Sequence, residues 1–297
     1  MSSWKEQKNE SVSTSLGRCL AGLCDSFKFD PSWIEETGVV QYLQESIQGN
    51  ISSPPAFEET MRAFSTITNL YPSAAEIAFD QKVVTAILDA LTRYFFDPSV
   101  LTLLCWSLTA FSRNNGKKDF FQLKPVVKKL IFICKEHSTN NSLIEAACTA
   151  IVSFHVGKGG IERNEIGSSV SSAGGLLVLT MILEKLSSPQ EDSQVTLTSS
   201  AQFAAAAVLA VLFFASYKCK EFVSKLSESS AKTFTSTLAM FGEFPDIFYT
   251  LSKLIQFNGE TIDKTIWESS PKIESFKSRL NVATKSIIPS QKGSAPV

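Results

Sequence analysis

The sequence predicts an all-α chain, a solenoid of about five to six stacked helical units. Two internal repeats lead to that expectation, together with the scarcity of strand-like alternation. The first repeat is a valine pair at Val39/Val40, Val83/Val84 and Val126/Val127, with steps of 44 and 43 residues. The second is a motif that closes on Phe27, Leu70, Phe111, Phe154 and Phe214, with steps of 43, 41, 43 and 60. A single unit of this size cannot bury both of its apolar faces, so neighbours must stack to make one continuous core.

Each element has a local reason. Residues 1–13 are polar and are expected to be disordered. In the unit near 14–48, Leu20, Cys24 and Phe27 mark a long helix, Asp30-Pro31 opens the next, and Val39, Val40, Leu43 and Ile47 form one buried stripe. The unit near 54–95 opens at Pro54-Pro55 and carries Ala63, Ile67 and Leu70. Tyr71-Pro72 then leads into the short helix "SAAEIAFDQ", followed by "KVVTAILDALTRY" with Val83, Val84, Ile87 and Leu91. The unit near 97–136 starts at Asp97-Pro98, where Asp97 is a candidate N-cap, and runs through "DPSVLTLLCWSLTAF" to Val126, Val127, Leu130 and Cys134. "NNSLIEAACTAIVSF" repeats that long helix at an offset of 43 in the unit near 140–187, which ends in a weaker stripe of Val178, Leu179, Ile182 and Leu186. Ala207, Val211 and Phe214 fit the same frame in a unit near 195–241. A last, blurred unit near 244–282 precedes a Ser/Pro/Lys-rich tail, 283–297, expected to be disordered.

Composition narrows the function. The chain has 297 residues, 44% apolar and 19% charged, with a net charge of -1. Binding to nucleic acid through phosphates needs a basic face, so no nucleic-acid partner is expected. The six cysteines form no C-x-x-C pair, and the two histidines, His137 and His155, lack metal-ligand spacing. The cysteines read as small core hydrophobes, and neither metal nor cofactor is expected. "GKGG" at 157–160 lacks the strand and the GK[ST] of a phosphate loop and reads as a bridge between helices. No nucleophile stands near either histidine in sequence, so catalysis is not expected. The apolar run 201–215 would span about 22 Å as a helix, too short for a bilayer, and reads as a helix buried on all sides. The start shows no secretory signal; the expected location is the cytoplasm, with the nucleus as the alternative.

"SAAEIAFDQ", "KVVTAILDALTRY" and "DPSVLTLLCWSLTAF", in that order, resemble the three helices of an armadillo repeat, and "SSAGGLLVLTMILEKL" is similar to the Gly-Gly lead-in of that repeat's second helix. HEAT repeats share much of this pattern. The resemblance covers about residues 14 to 216 and implies a right-handed superhelix whose third helices line a concave groove for a peptide or helix of a partner protein. The Trp/Asn ladder of the family's nuclear-import members would fall on Gly22/Ser26, Ser65/Asn69, Trp106/Ala110, Thr149/Ser153 and Leu209/Phe213. That ladder is not repeated here, so recognition of basic import peptides is not implied. The slots turn more apolar toward the C-terminal end, which suits an apolar or helical segment. Candidate groove residues are Arg62, Asn69, Trp106, Ala110, Arg113, Thr149 and Ser153, with Trp106 as an aromatic anchor. The expected function is a non-enzymatic scaffold or adaptor; the alternative is a structural subunit of a larger assembly.

Overall fold

Helix starts follow the prolines. In the computed structural model, which describes residues 10–26, 31–114, 123–154, 167–187, 199–216 and Thr237, prolines occupy the first position of four helices. The order is α1 (Glu10–Ser26), α2 (Pro31–Thr37), α3 (Val39–Asn50), α4 (Pro54–Leu70), α5 (Pro72–Ala78), α6 (Gln81–Arg93), α7 (Pro98–Asn114), α8 (Leu123–Glu136) and α9 (Asn141–Ser153). A short α10 over 167–172, α11 (Gly175–Ser187) and α12 (Ser199–Ser216) complete the series. Among the described residues there is no strand, and no helix is long and apolar enough to cross a membrane.

Asparagine and aspartate caps fix the boundaries. Asp97 Oδ1 accepts from the amides of Ser99 at 3.1 Å and Val100 at 3.2 Å. Asp80 and Asn140 cap α6 and α9 in the same way. Asp97→Ala is expected to lower stability by about 1 kcal/mol, read as a shifted urea midpoint with an unchanged slope. Gly174, at φ 70, reverses the chain between α10 and α11 in a conformation that side-chain-bearing residues avoid.

The helices form two layers. The long helices α1, α4, α7, α9 and α12 pack side by side, each on the next. The valine-pair helices make the other layer, in which α3 meets α6 and α8 meets α11 more sparingly. One apolar cluster runs between the layers from Leu20 to Ala215. It contains every residue of the four valine-type stripes except Leu186, which is half-buried against it. Phe111 lies at its centre, meeting Phe64 of α4 edge-on at 5.9 Å and Phe79, between α5 and α6, at 5.6 Å.

Polar side chains tie the ends of α6, α8 and α11 each to the unit before it. Tyr94 Oη donates to the carbonyl of Ile51 at 2.9 Å, and His137 Nε2 lies 2.8 Å from the carbonyl of Phe95. Lys185 Nζ donates to Ser138 Oγ at 2.7 Å. Two of these links satisfy carbonyls just beyond a helix end, where the helix itself supplies no donor.

Several expectations need correction. Helix α1 begins at Glu10, so 10–13 are helical rather than disordered. Leu70 does not occupy the Phe111 slot; it is exposed, because the chain leaves the helix and turns Tyr71 inward instead. The extended backbone of Tyr71 is what a following proline demands. Cys19 is exposed, whereas Cys105, Cys134 and Cys148 are buried as expected. Cys148 shares a hydrogen bond with Cys134, and that bond together with burial pushes its thiol well up; burial does the same to Cys105. α12 is not buried on all sides, since Phe203 is exposed and Ala206, Ala207 and Ala210 are half-exposed. His155, Cys219, the "GKGG" bridge, the unit near 244–282 and the tail lie outside the described residues, as does most of the unit near 195–241 beyond 216.

Candidate partner-binding face

The row of long helices leaves one stripe of each helix uncovered. On α4 the stripe is Glu58, Glu59, Arg62, Thr66 and Asn69; on α7 it is Thr102, Leu103, Trp106 and Arg113. On α9 it is Glu145, Thr149 and Val152, spaced as one helical face. The α4 end is charged. Arg62 Nη2 pairs with Glu58 at 2.9 Å and its Nε lies 3.4 Å from Glu59, while Arg18 of α1 also donates to Glu59 at 2.9 Å. The exposed Arg62–Glu58 pair contributes little to stability, but Glu58 and Glu59 together hold the Arg62 guanidinium along its own helix. The α7–α12 end is more apolar.

Asn69 and Trp106 come together. The Asn69 amide donates to Ser65 O at 2.8 Å and, across to the next helix, to the carbonyl of Trp106 at 3.1 Å. The Trp106 ring is half-buried, packed against the core on one side. Thr149 takes the equivalent place one helix on and is also half-buried, whereas Arg113 stands exposed at the end of α7.

Ala110 and Ser153 must be withdrawn as contact residues. They are 1% and 3% exposed, and Ser153 donates to its own helix at Ala150 O. Burial at these positions leaves no surface for a partner to touch. Leu209 is buried as well, so the apolar character of the C-terminal end comes from half-exposed alanines and Phe203 instead.

One residue of this face escaped the sequence reading. Glu145 is half-buried, and burial raises its carboxyl pKa. Its signal was visible as the single charge inside the apolar run "LIEAACTAIV". A partly desolvated carboxylate favours a donor or cation brought by a ligand. A shallow cleft of about 440 Å³ lies elsewhere, between α3 and α6, lined by Gln48, Lys82, Thr85 and Asp89 among others. Among the described residues no cluster of histidine, cysteine and carboxylate is arranged to hold a metal.

No family model matches the chain, and no curated protein matches it either. A solved structure does: the crystal structure of an engineered protein determined as a Northeast Structural Genomics Consortium target. It superposes with a TM-score of 0.62 over 86% of this chain and 93% of its own, at 16% sequence identity. At that identity the likeness concerns the fold alone.

Proposed function

We propose that the chain is a non-enzymatic scaffold, an armadillo-like right-handed superhelix that receives a peptide or helical segment of another protein on the α1–α4–α7–α9–α12 face. The observation that carries this reading is the unbroken row of five long helices, of which α4, α7, α9 and α12 carry partly exposed stripes. Closer packing within this row than within the valine-type row would curve the stack toward it and make the face concave. A surface fixed by a continuous core loses little freedom on binding, so a few side chains can supply most of the affinity. Trp106 is the anchor in this reading, with its backbone held by Asn69. The mixed character, ionic on α4 and apolar from α7 onward, suits an amphipathic segment.

Trp106→Ala is the test. A partner captured from native lysate by the wild-type protein should bind the variant at least tenfold more weakly in a titration, with far-UV circular dichroism and melting nearly unchanged. An unaltered affinity, or a collapse in thermal stability, would remove the ring from the face and sink the proposal. A chain that is obligatorily paired in solution would favour the alternative, a subunit of a larger assembly.

A further inference from the structure

The valine-type helices carry a repeat position of their own on their solvent side. Six residues after the first residue of each stripe stand Glu45 in α3, Asp89 in α6, Phe132 in α8 and Glu184 in α11, all of them exposed. Three copies hold a carboxylate, as a solvated helix face should. The fourth holds an aromatic ring that stays 49% exposed.

Phe132 does not stand alone. Its ring stacks on Phe95 at 5.2 Å, and Phe95 meets Phe96 edge-on at 5.3 Å. Phe96 is 90% exposed. His137 steadies the base of the cluster, with its ring 5.6 Å from that of Phe95 and its Nε2 on the Phe95 carbonyl. Two solvent-facing rings therefore rest on a fixed third, with limited freedom left to lose on binding.

The charge beside the rings is of one sign. Lys128 precedes Phe132 by four residues and Lys135 follows it by three, which places them on the same face of α8, and Lys124 lies one turn further back. All three are exposed, and none forms an ion pair among the described residues. Lys129 is engaged instead, donating to Leu88 O at 3.0 Å and Thr92 Oγ1 at 2.6 Å. Glu136 is the single carboxylate on α8. The repeat counterparts of Lys128 are Gln41, Thr85 and Thr180, so the basic stripe belongs to α8 and not to the repeat.

We propose that Phe96 and Phe132, flanked by Lys124, Lys128 and Lys135, form a second docking surface, for an acidic segment of a partner protein that carries leucine or aromatic anchors. It lies on the other layer of the stack from the Trp106 face and does not depend on that face. Charge complementarity selects the occupant: one cationic stripe beside two apolar anchors matches a narrow acidic helix. An extended anionic surface such as a membrane would also meet the exposed Asp89 of α6 and Glu184 of α11, whose charges Arg93 and Lys185 on the same helices only balance, so it gains nothing beyond the narrow α8 stripe.

The test uses the full chain and fluorescence anisotropy. The probe is a fluorescein-labelled helical peptide with Leu and Phe one turn apart in a Glu/Asp-rich background. Controls are a peptide with Lys in place of the acids and vesicles of phosphatidylserine and phosphatidylcholine. Saturable, salt-sensitive binding of the acidic probe is expected, weakened at least tenfold by Phe132→Glu and by Phe96→Ser. Phe132→Glu installs the residue type that the sister helices already tolerate, and Phe96→Ser alters a ring almost wholly in solvent, so the fold survives at least one of them. Trp106→Ala should leave this binding unchanged. The proposal is overturned if the acidic probe fails to bind or the lysine peptide binds equally well. Preference for the vesicles overturns it too, as does a wild-type dimer that Phe132→Glu dissolves, or a loss confined to Trp106→Ala.

Discussion

Phe111→Ala should destabilise the protein by about 3–5 kcal/mol, the range for removing a buried aromatic ring from a well-packed core. The side chain is fully buried, and its ring joins three segments: α4 through Phe64, the α5–α6 connection through Phe79, and its own helix α7. Its loss leaves a cavity where α4, α7 and the α5–α6 connection meet. Urea denaturation followed by circular dichroism provides the measurement. Phe111→Leu, which refills much of the volume, should recover a large part of the loss. A Phe111→Ala midpoint close to wild type would mean that the aromatic junction does not hold the stack together.

Gly17→Ala should also destabilise, against the sign that helix propensity alone would give. Alanine in a helix interior is normally better than glycine by about 1 kcal/mol. A Cβ at position 17, however, would come within 2.7 Å of the carbonyl carbon and oxygen of Glu59 on α4. Both atoms belong to the backbone, so no side-chain rotation relieves the clash. α1 must move outward from α4, loosening the core packing of its own Leu20 and Ala21 at a net cost of about 1–3 kcal/mol. Gly22, on the same helix, supplies the control. A Cβ there meets nothing within 4 Å, so Gly22→Ala should stabilise by about 0.5–1 kcal/mol. Hydrogen exchange in α1, faster in the first variant and slower in the second, reads both effects. Equal shifts would show that close approach of α1 to α4 is not what selects glycine at position 17.

Core positions within helices were legible because periodicity dictates them. Val83, Val84, Ile87 and Leu91 can share one side of a helix only if that side is buried, whatever the partner. Helix ends were less so. Leu70 matched the repeat by count yet lies in solvent, because Pro72 draws Tyr71 out of the helix and into the core. The candidate face was half legible. Residue type pointed to Trp106, but nothing local distinguished Ala110 and Ser153, which are buried, from Thr149, which stays partly open. Phe132 could have been found by comparing the four stripes six residues in, since the anomaly is written in the repeat itself.

By itself, the sequence determined that this chain is helical, where most of its helices begin, and which stripe of each valine-type helix is buried, because these follow from dihedral preference and a 3.6-residue period acting within one segment. The tertiary structure alone decided which polar and small residues on the long helices remain accessible, that Gly17 is a contact point, and that Phe96 and Phe132 share one exposed cluster. Those outcomes depend on distances between segments some 40 residues apart, and only packing sets such distances.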